Sequence, residues 1–250
     1  MIVPRLEGGL GNQMFQIAAA CGTVNRFNSA TGVFEHRGSP KGIEVRQFGV
    51  NFNLPHTHIQ GFKPTKYKDT FYKSIPITDF VPETYHKEPY FHYHTVPDAD
   101  DILLWGYFQS DKYFEGFHDE VRNLFTFSPD IKNKIDDRMS GIDKHTVSVH
   151  VRRGDYLRFP NIHPTCSVEY YTQAFSRFPD SYFIVASDDI PWCEQNISGE
   201  RVIFSNCKSE LEDLYLLSQC DSSILSNSSF AWWGSYLGKE KFGKTRTSLK

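Results

Sequence analysis

Hydrophobic and polar positions alternate most clearly in the second half of the chain. Val147, Val149 and Val151 interleave with Ser148, His150 and Arg152, the period of two expected of a strand. The run Arg152-Arg153-Gly154-Asp155 then ends it. Short apolar runs predict further strands over 182–186, 201–204 and 223–225. Helical spacing predicts helices near 168–178, from Pro191, over 210–220 and over 230–237. Strands and helices alternating through short connections predict a parallel, doubly wound α/β sheet.

The first half is less regular. A strand over 2–6 leads through Glu7-Gly8-Gly9-Leu10-Gly11 to Asn12, which is placed to cap a helix carrying Met14, Phe15 and Ile17. Residues 28–100 are rich in Pro, His, Tyr and Phe with little periodicity, and irregular loops with a few strands are expected there. An apolar run predicts a buried strand over 102–108. Ser110 then caps a helix with Tyr113, Phe114, Phe117, Val121 and Leu124 on one face, and Pro129 opens another that ends near Met139. A boundary near residue 140 divides the chain into an N-terminal domain, 1–140, and a C-terminal domain, 141–250.

Composition narrows the function. Hydrophobic residues make up 39% and charged residues 23% of 250, a globular balance. A formal charge of -3 and a pI near 6.4 argue against a nucleic-acid binder, whose footprint is basic. Any anion site is therefore local. Five widely spaced cysteines without a CxxC pair point to free thiols in a reducing compartment. No signal peptide and no apolar stretch of the ~20 residues a membrane span needs are visible, so a soluble, cytoplasmic protein is expected.

The candidate chemistry lies at three strand ends. They carry His150, Arg152, Arg153 and Asp155; Ser187, Asp188 and Asp189; and Ser226, Asn227, Ser228 and Ser229. A parallel sheet gathers its carboxyl ends along one edge, where ligands bind. Guanidinium forks and a Ser-Asn-Ser-Ser helix start are all donors suited to a diphosphate. A carboxylate suits a ribose or the N–H edge of a base. Adjacent strand residues point to opposite faces, so one arginine points into a pocket while the other braces the loop, with Asp155 a candidate partner. Taken alone, the arginine stretch reads equally well as a solvated basic loop, and the Ser/Asp clusters as caps and turns. Their convergence on one edge favours the pocket.

Other motifs carry less. The glycine loop at Gly8–Gly11 matches neither nucleotide-binding fingerprint, and on spacing alone it is a tight turn. Asp98-Ala99-Asp100 has the DxD shape of some metal-dependent glycosyltransferases but follows Pro97 rather than an apolar strand, which favours a polar loop. His56-Thr57-His58 and His92-Tyr93-His94 lack a third metal ligand at a recognisable spacing, and surface or acceptor-groove roles are expected for them.

Four ordered blocks resemble one family. His150-Val151-Arg152-Arg153-Gly154-Asp155-Tyr156 is similar to the sugar-nucleotide motif of the α-1,2-fucosyltransferases, glycosyltransferase family 11. Residues 8–16, residues 106–114, and residues 217–221 with 226–233 resemble that family's other blocks. The resemblance implies a GT-B-like α/β fold, with two Rossmann-like halves facing a cleft. It implies an inverting, metal-independent transfer of L-fucose from GDP-β-L-fucose to a galactose-containing glycan, with no cofactor beyond the donor. Arg152, Arg153 and Asp155 are then catalytic candidates. His150, Ser187, Asp188, Asp189, Asn227, Ser228 and Ser229 are donor-side candidates, and Gly9, Asn12 and Gln13 acceptor-side ones. Asp155 is the candidate general base nearest in sequence, with His163 behind it, and is read first as a support for the arginines. The chain departs from many animal members in showing no anchor, and from the family pattern in its basic tail after Leu237. Another GDP-sugar as donor, such as GDP-mannose, or a weakened glycan-binding protein on the same fold, are the rival readings. A dinucleotide oxidoreductase is a distant third, for want of the glycine fingerprint.

Overall fold

The computed structural model describes residues 1–30, 45–54 and 63–238. His36, His56, His58 and the tail from residue 239 onward lie outside the described residues. The chain divides into two compact units, Met1–Thr126 and Phe127–Lys250. The first boundary after Thr126 leaves the helix Pro129–Met139 with the second unit, where the sequence pattern put the division near residue 140.

The first unit holds a three-stranded parallel sheet of β1 (Ile2–Pro4), β2 (Tyr85–Lys87) and β3 (Ile102–Trp105), in the order β1-β3-β2. Helix α1 (Leu10–Ala30) follows β1 directly, its face from Leu10 to Val24 almost wholly buried. Asn12 is not its cap, because the Gly9 carbonyl already accepts the N–H groups of Asn12 and Gln13. The helix expected after Ser110 is broken in two. Ser110 caps a 3-10 turn, Asp111–Phe114, by accepting the Lys112 N–H. Gly116 at φ 86° then redirects the chain into α2 (His118–Asn123), since that backbone region suits glycine.

The second unit is the doubly wound sheet that the alternation predicts. It contains α3 (Pro129–Met139), β4 (Thr146–Val151), α4 (Val168–Phe175), β5 (Tyr182–Ser187), α5 (Ile190–Asn196), β6 (Val202–Phe204), α6 (Glu210–Ser218), β7 (Ser222–Ile224) and α7 (Ser229–Leu237). All four strands are parallel, in the order β6-β5-β4-β7. Val147, Val149 and Val151 bury against Tyr171 and Ala174 of α4 and Cys193 of α5. On the opposite face Ile184 packs with Ile135 of α3 and Leu216 of α6. Parallel strands covered on both faces are the stable solution for such a sheet. Trp233 is fully buried and meets Trp232 edge-to-face at 5.0 Å.

The strand order carries a consequence for function. The chain steps outward from β4 to β5 to β6, then returns to place β7 on the other side of β4. The switch point therefore lies between β4 and β7, and ligands of open α/β sheets bind outside the carboxyl ends at such points.

Candidate active site

Everything the arginine block does follows from where β4 ends. Ser148, His150 and Arg152 continue one face of the strand, whereas Val151 and Arg153 continue the other. Ser148 bonds Ser223 on β7, and the His150 Nδ1 lies 2.7 Å from Ser226 Oγ. His150 is buried against Phe230. Burial first and the Arg152 charge second hold its imidazole down to about 3, so it is neutral throughout the physiological range.

The two arginines are held separately. Arg152 spans Asp155 at 2.6 Å and Asp188 at 3.0 Å, with Tyr156 beneath it at 5.3 Å. Arg153 pairs through Nε with Asp189 at 3.1 Å and lies 3.8 Å over the Trp192 ring. The partner of Asp155 is thus Arg152. Asp188 does double duty, its Oδ1 accepting the Arg153 N–H at 2.9 Å. Asp189 caps α5 by accepting the Trp192 N–H, and Ser187 Oγ accepts the Asp189 N–H. Both carboxylates expected near ribose or base pair with the arginines.

Gly154 is required by this packing. A Cβ there would meet Asp188 Oδ2 at 2.3 Å, a carboxylate already fixed from two sides.

The β7 side closes the constellation. Tyr156 donates its hydroxyl to the Asn227 carbonyl at 2.8 Å, tying the arginine loop to the start of α7. Tyr170 does the same for the Leu225 carbonyl at 2.6 Å. Ser228 occupies the N-cap of α7 without a side-chain cap bond, and Ser229 opens the helix. Helix starts present N–H groups and a partial positive charge to an anion. His150, Arg152, Arg153, Asp155, Ser187, Asp188, Asp189, Asn227, Ser228 and Ser229 all belong to the carboxyl ends of three adjacent strands. Tyr156 and Trp192 were not among the predicted site residues. Tyr156 directly follows the Arg-Arg-Gly-Asp run, which was its available signal; nothing in the local pattern marks Trp192.

The predicted acceptor-side residues sit together in the first unit. Gly9 and Asn12 are half-buried, and Asn12 Oδ1 accepts from Gln109 Nε2 at 2.8 Å. Gln13 is fully buried; it donates to the Gly8 carbonyl and accepts from the Tyr72 hydroxyl. It holds the glycine loop from beneath. Asp98 and Asp100 pair with Arg46, as befits a polar loop. Among the described residues no group of three His, Cys, Asp or Glu could hold a metal, and no helix is long and apolar enough to cross a membrane.

Two parallel α/β units, one gathering guanidinium groups and a helix start along the carboxyl edge of its sheet, have the layout of Rossmann-like folds. The chain belongs to glycosyltransferase family 11, whose model, "Glycosyl transferase family 11", matches residues 50–244. It is a glycosyltransferase. An alpha-1,2-colitosyltransferase of Escherichia coli is 29% identical, the match covering 98% of this chain and 90% of that protein. The galactoside alpha-(1,2)-fucosyltransferase 2 of Bos taurus is also 29% identical, over 68% of this chain and 53% of its own length. Among solved structures, NodZ alpha-1,6-fucosyltransferase soaked with GDP-fucose aligns with a TM-score of 0.57 at 13% identity, covering 94% of this chain and 91% of that one. At that identity the likeness speaks for the fold, the α/β, GT-B-like class.

Proposed function

We propose that the chain transfers L-fucose from GDP-β-L-fucose to the 2-hydroxyl of a galactose-terminated glycan, inverting to an α-1,2 linkage without a metal. The observation that carries the reading is the pair Arg152 and Arg153 at the carboxyl end of β4, on the same sheet edge as the start of α7. The donor diphosphate binds there. As the acceptor oxygen bonds to C1, the C1–O bond to the β-phosphate breaks and its electron pair leaves with GDP. Positive groups aimed at that oxygen are worth most in the transition state, when its charge is largest. The acceptor hydroxyl proton passes to solvent or to a nearby base.

The site carries two guanidinium groups against three carboxylates, so a diphosphate must compete for Arg152. Asp155 is the carboxylate that yields, being half exposed at the loop surface. Its role in this account is to hold Arg152 until the donor arrives. Asp188 and Asp189 stay and orient both forks. Gly9 and Asn12 belong to the acceptor side.

A second donor comes from the colitosyltransferase relative, which matches nearly the whole chain. Colitose differs from fucose in lacking the 3-hydroxyl. Purified protein offered GDP-fucose, GDP-colitose and GDP-mannose separately, with a galactose-terminated acceptor, tests the donor. Preferred turnover of GDP-fucose and an α-1,2 product by NMR support the reading. Preference for GDP-colitose replaces the donor, and no turnover of any of the three contradicts the reading.

A further inference from the structure

The first unit carries more aromatic surface than its own packing buries. Phe91 is 76% and Tyr90 66% exposed, and exposed rings in a group mark an interaction site. These rings are ordered relative to one another. Phe91 stacks with Tyr107 at 6.3 Å and 12° between planes. Tyr90 lies parallel to His92 at 5.5 Å and 1°, and His92 meets His94 at 4.5 Å. Tyr107 is fixed from behind, its N–H donating to Glu88 Oε2 at 2.8 Å.

Two polar atoms in the same cluster are unsatisfied. Nε2 of His86 and Nε2 of His94 are buried without a hydrogen-bond partner among the described residues, whereas buried polar atoms are ordinarily paired. Burial holds the His86 imidazole below its ordinary value; Glu88 pulls it up and His94 pushes it down. Exposed, mutually stacked rings backed by imidazoles are not the chemistry of an aliphatic protein interface.

It is the chemistry of a pyranose, which has a hydrocarbon face and a rim of hydroxyls. In galactose the axial 4-hydroxyl leaves the hydrogens on C3, C4 and C5 together on one face, a patch the size of an aromatic ring. The cluster also runs into the acceptor-side loop: the Gly106 carbonyl accepts from Gln16 of α1, and Gln109 donates to Asn12. We infer that Tyr90, Phe91 and Tyr107 form a subsite for the terminal β-galactoside of the acceptor. The inference rests on the acceptor reading above and names the residues that recognise the sugar.

Saturation-transfer NMR with lactose, run on the unaltered protein and on Phe91→Ala and Phe91→Leu, tests it. GDP-fucose binding and thermal melting are measured in parallel. Lactose binds through H3, H4 and H5 of its galactose, and both variants weaken it by about tenfold. Melting and GDP-fucose affinity stay unchanged, because Phe91 is exposed. Cellobiose, whose terminal sugar has an equatorial 4-hydroxyl, binds less well. No lactose binding, lactose binding indifferent to Phe91, or equal binding of cellobiose overturns the subsite. If GDP-fucose fails to bind while lactose binds through Phe91, the donor reading fails and the subsite stands.

Discussion

Arg152 and Arg153 are neighbours in sequence yet belong to different faces of β4, and their surroundings differ accordingly. Arg152 bridges the half-exposed carboxylate of Asp155 and the fixed one of Asp188, while Arg153 is clamped between Asp189 and Trp192. If Asp155 only holds Arg152, Asp155→Asn releases the guanidinium to the donor. We expect kcat to fall by less than about tenfold, with donor KM unchanged or lower. A general base would instead show a loss of about 10²–10⁴ in kcat. His150 makes a prediction of another kind. Its folded imidazole stays neutral to about 3, while the unfolded chain takes up a proton near its ordinary value of about 6.5. The unfolded state then binds more protons, so stability is full above about pH 6.5 and is lost as pH falls toward 3, at about 1.4 kcal/mol per pH unit. Denaturant unfolding at several acidic pH values checks this: His150→Gln flattens the slope, and a variant curve parallel to the parent's contradicts it. At this scale the sequence showed which residue types meet on the edge. It could not show that Asp188 and Asp189 face the arginines, because strand-end side chains choose partners only once the neighbouring strands are in register.

The elements were legible in proportion to how local their signals are. The second unit read cleanly because caps mark most of its helices: Ser128, Ser167 and Ser209 each accept an N–H from the first turn that follows. The first unit was harder. β1 and β3 pair in parallel across about a hundred residues (Ile2 against Ile102), and β2 is three exposed or half-buried residues, so neither announces a partner. The turn after β3 was likewise hidden. Phe108 is buried at φ 51°, a region a large side chain adopts only when its surroundings force it. Glu88 supplies that force, its Oε2 accepting the N–H groups of both Tyr107 and Phe108 at 2.8 Å. Replacing Glu88 with Ala removes two charge-assisted bonds and should lower the stability of the first unit by about 2 kcal/mol. Thermal unfolding reads the loss; an unchanged midpoint means that other contacts hold the turn. In the second unit the matching device is Gly154. Gly154→Ala pushes on Asp188, which is held by Arg152 and by the Arg153 N–H. Weaker GDP-sugar binding with an unchanged melting midpoint is the expected result, and full donor affinity contradicts it.

For the whole molecule, the modest net charge of -3 concentrates attention on one local anion site. If two guanidinium groups and a helix start neutralise the leaving diphosphate, no divalent cation is needed for that task. Chelation with EDTA is then expected to leave turnover unchanged, and loss of activity restored by added Mg²⁺ or Mn²⁺ contradicts the account. The most direct measurement is GDP release from GDP-fucose, with and without a galactose-terminated acceptor, by the unaltered protein and by Arg152→Ala and Arg153→Ala. The account predicts release that the acceptor stimulates and that either substitution reduces by about a hundredfold or more. Acceptor-stimulated release that persists in both variants would place the diphosphate elsewhere and contradict it.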